Sequence, residues 1–220
     1  MKWLLIGAGL LAATLVLAFC GRSRNGGELR LRHEVTVATS AGERTFSSVV
    51  SMDGFQSYNY HAGGSGWGGI SCRLTGDAVR VPIENNDFYF LLARPGTTTP
   101  AWTQIGLIKK HFGLPNYTKD RSWIEHWKDL AQSETAVDLV PEDYPAIAVM
   151  PRNGWMNDAR HVSAGAAEEL GLRVIRYRLR MTQDEVQADP PFEVRYRPTE
   201  ERYPRIEVGR EYLTVENGRA

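Results

Sequence analysis

Cys72 and the histidines of the chain are the residues best suited to covalent catalysis. A cysteine nucleophile needs an imidazole within hydrogen-bond reach, and His61 precedes Cys72 while His111 and His126 follow it. Catalytic cysteines commonly stand at a helix N-terminus, where the helix dipole lowers the thiol pKa. Cys72 instead lies in an apolar stretch, residues 70–74, that predicts a strand. We therefore predict a buried, inert thiol, and a cysteine-dependent hydrolase that uses Cys72 with His61 is the alternative.

The sequence contains no recognisable motif for a metal, a phosphate or a cofactor. The histidines never occur at a ligand spacing such as H-x-x-x-H, and no C-x-x-C pair is present. The glycine-rich run at residues 63–69, GGSGWGG, has the composition of a phosphate loop, but the Walker sequence G-K-[ST] does not follow it. We predict no metal site and no cofactor.

Aromatic residues surround this glycine run and are suited to recognition. Tyr58, Tyr60 and Trp67 lie within residues 53–69, whose glycine content predicts a long loop. Aromatic side chains of this kind stack on sugar rings or on a protein surface. We predict that these three residues contact a protein or glycan partner.

A row of arginines forms the second candidate binding surface. The strand predicted at residues 172–181 alternates apolar and basic side chains. Its inward positions are Ile175, Tyr177 and Leu179, and its outward positions are Arg176, Arg178 and Arg180. A basic sheet face can bind anionic lipid headgroups or an acidic partner. Carboxylates such as Glu185 and Glu193 are numerous enough to pair with the arginines instead, and this solvated face with cross-strand ion pairs is the favoured interpretation.

The N-terminal segment is typical of chains that are directed to a membrane. Residues 3–19 carry no charge and lie between Lys2 and Cys20. As a helix they would be ~25 Å long, slightly shorter than the ~30 Å hydrocarbon core. The pattern fits an uncleaved anchor, a lipoprotein signal with Cys20 as the site of lipid attachment, or a cleaved export signal. Phe19 departs from the small residue that normally precedes a lipid-accepting cysteine.

Two features predict opposite sides of the membrane for the rest of the chain. On the C-terminal side of the run, Arg22, Arg24, Arg30 and Arg32 outnumber Lys2 and the amino terminus, which favours the cytoplasm under the positive-inside rule. A single lysine before an apolar run is typical of export. We predict an inner-membrane or envelope location with the soluble domain in the periplasm, and the cytoplasmic side is the alternative. The formal net charge of zero gives no electrostatic reason to expect a nucleic-acid partner.

The remaining pattern predicts an α+β fold. Period-two alternation predicts strands at residues 28–38 and 44–52, then a β-meander that continues through 70–74, 78–83 and 87–93, and later strands at 146–150 and 172–181. Apolar stripes predict helices at residues 103–112, 120–130 and 163–170. We predict a membrane segment at 1–20, a flexible tether at 21–27 and one soluble domain at 28–220. This domain is a mainly antiparallel sheet with two or three covering helices.

Four segments of the chain carry a resemblance to a known group of proteins. They read LRLRHEVTVATSAGERTFSSVVSM, GDAVRVPIENNDFYFLLA, PEDYPAIAVM and LGLRVIRYRLRMTQDEV. In this order, behind an apolar N-terminus, they resemble an uncharacterised family of bacterial membrane-anchored or lipoprotein-like proteins. The resemblance implies an architecture and a bacterial envelope location, and no chemistry. We therefore expect a non-enzymatic binding or scaffolding module, with the cysteine-dependent hydrolase as the alternative.

Overall fold

A computed structural model describes residues 24–59, 67–95, 100–116, 122–152 and 159–186, together with three short strands nearer the C-terminus. The strands are β1 (Arg24–Thr39), β2 (Gly42–Asn59), β3 (Trp67–Thr75), β4 (Val79–Ile83), β5 (Asn86–Phe90), β6 (Ala136–Asp138), β7 (Ile147–Pro151), β8 (Arg160–Val162), β9 (Arg173–Met181), β10 (Arg195–Tyr196), β11 (Ile206–Glu207) and β12 (Gly218–Arg219). The helices are α1 (Pro100–Phe112), α2 (Ser122–Ala131) and α3 (Ala164–Glu169), with a 3₁₀ turn at Pro141–Asp143. The predicted class, α+β with mainly antiparallel strands, is confirmed.

The long hairpin of β1 and β2 is the centre of the structure. Its register pairs Leu31 with Val50 and Thr39 with Gly42. The predicted alternation in β1 is confirmed, because its odd-numbered residues from Leu29 to Val37 are buried. The turn between the strands is fixed by Thr39, whose hydroxyl donates a hydrogen bond of 2.7 Å to the Gly42 carbonyl.

The described strands form two main antiparallel sheets, and the hairpin lies in the middle of the larger one. The larger has the strand order β12-β3-β2-β1-β9-β6, the smaller has the order β4-β5-β7-β8, and β10 pairs with β11 separately. The predicted meander is wrong between β3 and β4, because the chain leaves the larger sheet there and enters the smaller one. Gly76 makes this passage at a φ of +136°, and an added Cβ would lie 2.8 Å from the Val50 backbone.

The predicted loop at residues 53–69 is also too long. β2 continues to Asn59, and β3 begins at Trp67, with Gly54 opposite Cys72 and Asn59 opposite Trp67. Glycine weakens an isolated strand, but the described glycines of this segment, Gly54, Gly68 and Gly69, are each paired across the sheet. Pairing between strands therefore outweighs the local preference of the sequence.

One apolar core joins the two sheets and the helices. Phe90 of β5 meets Tyr177 of β9 edge to face, with 5.4 Å between ring centroids. The helical stripes predicted for α1 and α2 are confirmed, since Ile105, Ile108 and Trp123 are buried in this core. The Ser163 hydroxyl caps α3, as predicted, by accepting a hydrogen bond of 3.2 Å from the Ala166 amide. None of the helices in the described part of the chain is long and apolar enough to cross a membrane.

A tryptophan on α2 sits against two glycines of the central hairpin. A Cβ added to Gly26 or to Gly54 would lie 2.7 Å from the Trp127 side chain. The Trp127 indole donates a hydrogen bond of 3.0 Å to the Gly27 carbonyl, at a register shift in β1 between Asn25 and Glu28. The strand therefore begins at Arg24, inside residues 21–27, where a flexible tether was predicted.

A histidine lies fully buried among the apolar residues of the core. His33 of β1 is 0% exposed, and its Nδ1 lies 2.8 Å from the Tyr177 hydroxyl. Burial lowers the pKa of the His33 imidazole to about 4, and the nearby Gln104 side chain of α1 opposes this shift without reversing it. The ring is therefore neutral at pH 7 in the folded protein.

We expect Gly54→Ala to lower the free energy of unfolding by about 1–3 kcal/mol, because the new methyl group overlaps the Trp127 ring. Gly106→Ala in α1 is the matched control, since nothing lies within 4 Å of an added Cβ there. That change should raise stability by about 0.5–1 kcal/mol through helix propensity. Urea titration of both variants measures the difference, and equal stability of the two would contradict close packing at Gly54.

We also expect stability to fall as the pH falls through the range from 6.5 to about 4. In this range an exposed histidine in the unfolded chain takes up a proton, whereas His33 in the folded chain does not. His33 alone should cost about 2 kcal/mol between about pH 7.5 and about pH 5. Urea unfolding at both pH values should show this loss in the natural chain and a smaller one in His33→Gln. An identical pH dependence in the variant would disprove the assignment.

Candidate functional site

The predicted arginine row lies on the outward face of β9, between β1 and β6. Arg178 donates to both carboxylate oxygens of Asp138 on β6, at 2.7 and 3.2 Å. Arg180 lies 3.8 Å from the Glu34 carboxylate on β1. The hydrogen bond from Arg178 lowers the pKa of Asp138. These two arginines therefore have partners within the chain, as the favoured interpretation predicted.

Two further arginines on β1 extend the set of ion pairs. Arg32 lies 2.7 Å from Asp184, and its second amino group donates to the Ser47 hydroxyl at 3.0 Å. Arg30 lies 2.9 Å from Glu28. Hydrogen bonds from Thr182 and Arg32 lower the pKa of Asp184. The outward face is thus a network in which guanidinium and carboxylate groups hold each other in place.

Arg176 differs from its neighbours in the row. It is exposed and forms no ion pair with any residue in the described part of the chain. A register shift lies beside it, because Thr36 pairs with Arg176 while Val37 pairs with Val174. Ile175 has no partner on β1 and is 45% exposed. The prediction that Ile175 faces the core is therefore wrong, because a β-bulge turns it outward.

A second exposed apolar residue lies next to this bulge. The Leu139 amide donates a hydrogen bond of 2.7 Å to the Tyr177 carbonyl, which places Val140 level with Arg176 on the neighbouring chain segment. Val140 is 48% exposed. We call Val140, Ile175 and Arg176 the β9 patch. The alternation of apolar and basic residues did not predict the β9 patch, because it assigns Ile175 to the core.

A buried carboxylate was also missed by sequence reasoning. Asp143 of the 3₁₀ turn is 4% exposed and lies 2.5 Å from the Lys110 ammonium and 2.9 Å from His111 Nε2. Burial alone would raise the pKa of Asp143, but the hydrogen bonds from Lys110 and His111 outweigh it and hold the pKa below its usual value. The cluster ties the basic last turn of α1 to the segment after β6. The only sequence signal for it is the run of basic residues that ends α1.

The candidate nucleophile lies in the core. Cys72 is 1% exposed on β3, and burial raises the pKa of its thiol to about 12, with a smaller opposing effect of Lys109. The thiolate that a hydrolase needs is therefore scarcely populated at neutral pH. His61, its suggested partner, lies outside the described residues.

A polar cleft opens at the end of the two sheets nearest the β1–β2 turn. It has a volume of about 320 Å³ and is lined by Arg44, Glu84 and Arg173 among others. Its lining contains neither a cysteine nor a histidine. The cleft therefore does not bring together the groups of the predicted alternative, a cysteine-dependent hydrolase.

The other predicted site residues lie at or beyond the edge of the described chain. Tyr58 pairs with Gly68, and Trp67 pairs with Asn59, at the far end of β2 and β3. Tyr60 and Cys20 lie outside the described residues. Among the residues that the structure describes, no cluster of three or more His, Cys, Asp or Glu side chains is placed to hold a metal ion.

Comparison with known proteins assigns the chain to no group. No protein-family model, curated protein or solved structure matches it. The functional argument therefore depends on the geometry described above.

We expect iodoacetamide to leave Cys72 unmodified in the native protein at neutral pH and to modify it after denaturation. The reason is the combined effect of burial and the raised pKa. The experiment uses the Cys20→Ala variant, so that Cys72 is the single thiol, and mass spectrometry counts the adducts. Rapid labelling of the folded protein would instead support the hydrolase alternative.

Proposed function

We propose that the protein is a membrane-attached binding or scaffolding module of the bacterial envelope, which contacts a protein partner through the β9 patch. The observation that carries this proposal is the position of Ile175 beside Arg176. The bulge in β9 exposes an apolar side chain beside a guanidinium group that lies near Asp138 but forms no ion pair within 4 Å in the described chain. Val140 adds a second apolar side chain on the neighbouring segment.

Energetics support recognition as the role of this face. Exposed ion pairs such as those of Arg178 and Arg180 contribute only about 0–1 kcal/mol each to stability. Complete burial of an aliphatic side chain yields about 1.5–3 kcal/mol, and about half of that gain remains unrealised for Val140 and Ile175, which are 48% and 45% exposed. A partner that covers them recovers this free energy. Arginine next to apolar side chains is also the composition of interface residues that dominate binding.

The neighbouring ion pairs define the chemistry of the partner. Arg178 and Arg180 are already neutralised by Asp138 and Glu34, so the surface around the patch has little net charge to attract a polyanion. Arg176 adds one positive charge at a fixed place. We infer a partner protein that presents an apolar surface with a carboxylate at its rim, in which the charge pair sets orientation and specificity.

Membrane attachment is the second part of the proposal. It is supported by the uncharged run at residues 3–19 and the resemblance described above. The sheet begins at Arg24, so only a short connection separates the apolar run from the folded part. The β9 patch is then displayed by a domain that is held at a membrane, where a scaffolding module meets its partners.

Site-specific photo-crosslinking in the native host tests the β9 patch. A benzophenone amino acid replaces Ile175 in one variant and Trp102 of α1 in the matched control, since Ile175 is 45% and Trp102 43% exposed. We expect a discrete crosslinked species from position 175 and none of the same size from position 102. Adding Arg176→Glu should lower its yield several-fold, and Arg176→Lys should retain most of it.

The same experiment can disprove the proposal. Equal adducts from positions 175 and 102 would indicate random collision with crowded neighbours. A crosslinking yield that is unchanged by Arg176→Glu would show that the charge of Arg176 takes no part in recognition.

A further inference from the structure

The start of β1 and the end of β2 lie at the same end of the larger sheet. β1 runs antiparallel to β2, and the first residue of β1, Arg24, pairs with Gln56. β2 does not end there but continues to Asn59, which pairs with Trp67 of β3. The paired ends of β2 and β3, residues 56–59 and 67–69, therefore extend past the start of β1. We call these residues the β2–β3 arm.

The β2–β3 arm is similar in length to residues 20–23, which connect the apolar run to the start of β1. At ~3.3 Å per residue the arm extends ~10 Å beyond Arg24. Residues 20–23 connect the apolar run to Arg24, and fully extended they span at most ~14 Å. The difference of a few ångströms is smaller than the polar headgroup layer, which is ~5–8 Å thick on each side of the hydrocarbon core.

The base of the arm is braced by α2. Trp127 packs against Gly54 of β2 and Gly26 of β1 and donates its indole hydrogen bond to the Gly27 carbonyl. These glycines lie within a few residues of the point where the arm leaves β1. The arm therefore continues in the direction of the sheet, with a packed helix at its base.

We propose that this end of the sheet rests on the membrane and that the β2–β3 arm lies at the level of the lipid headgroups. The inference depends on the membrane attachment proposed above, and it holds equally for an uncleaved anchor and for a lipid on Cys20. Trp67 pairs with Asn59 at the outermost register position of the arm, and Tyr58 pairs with Gly68 at the position before it. Tyrosine and tryptophan are the residues enriched at the membrane–water interface, so the arm has the composition that this position requires.

Fluorescence quenching by lipid tests the inference with the full-length chain. A nitrobenzoxadiazole label is placed on Ser57→Cys in the arm, and the matched control is Ser40→Cys in the β1–β2 turn. The two labels lie at opposite ends of the same hairpin, separated by a distance on the order of 50 Å. Both variants carry Cys20→Ala, which leaves residues 3–19 intact, and the Cys20→Ala chain alone gives the background labelling of Cys72.

The protein is reconstituted in phosphatidylethanolamine–phosphatidylglycerol vesicles that contain a nitroxide-labelled lipid. We expect the label at position 57 to lose at least half of its fluorescence relative to vesicles without nitroxide, and the label at position 40 to be unchanged. Asn59→Cys provides a second label position in the arm and should be quenched at least as strongly. Trp67→Ser in the labelled Ser57→Cys chain should reduce the quenching.

Flotation of the vesicles separates the two possible failures. Protein that floats with the vesicles while labels at 57 and 59 remain bright would overturn the placement of the arm and leave the attachment intact. Protein that stays at the bottom of the gradient would overturn attachment through residues 3–19, which is the attachment that the Cys20→Ala variants retain. Equal quenching at positions 40 and 57 would mean that the sheet lies flat on the membrane, which also contradicts the proposal.

Discussion

The fold depends on the way Tyr177 closes the space between the two sheets. Its hydroxyl lies 2.8 Å from His33 Nδ1 on β1, and its ring packs edge to face on Phe90 of the smaller sheet. Tyr144, after the 3₁₀ turn, packs against the same ring with 5.4 Å between centroids. Three separate parts of the chain thus meet at one fully buried side chain. Because Tyr177 faces inward, its neighbour Arg176 faces outward, and the bulge at Ile175, just before Arg176, exposes the Ile175 side chain.

The local sequence pattern correctly predicted those parts of the fold in which the position of a residue depends only on the geometry of its own strand or helix. The alternation from Leu29 to Val37 and the stripe of Trp123, Ile124 and Trp127 both describe one buried face of one element. Such patterns arise from the geometry of the element alone. The predictions were wrong where contacts with a segment distant in sequence determine the local backbone structure. The passage at Gly76 depends on Val50, and the ordered start of β1 depends on Trp127.

The candidate site follows the same rule. The outward direction of Arg178 and Arg180 was predictable from period two, and the existence of carboxylate partners was predictable from composition. The identity of those partners was not, because Asp138 and Glu34 reach β9 from strands on either side of it. Ile175 was assigned to the wrong face for a related reason. A bulge is set by the register of two paired strands, and a single strand carries no signal for it. Cys72 was the opposite case, since a strand with apolar neighbours was enough to predict a buried thiol.

A row of arginines could bind anionic lipid headgroups or a protein partner, and the direction of β1 bears on this choice. Thr36, the β1 partner of Arg176, lies far along the strand from Arg24, a separation on the order of 40 Å at ~3.3 Å per residue. If the arm end of the sheet rests on the membrane, the β9 patch stands that far above the lipid. Electrostatic attraction to anionic headgroups fades over a Debye length of ~8 Å at physiological ionic strength. Arg176 is then out of reach of the headgroups but accessible to a protein partner. In that orientation the strand that would bring the arm to the membrane would also hold the proposed recognition surface away from it, which favours a protein partner over anionic lipid.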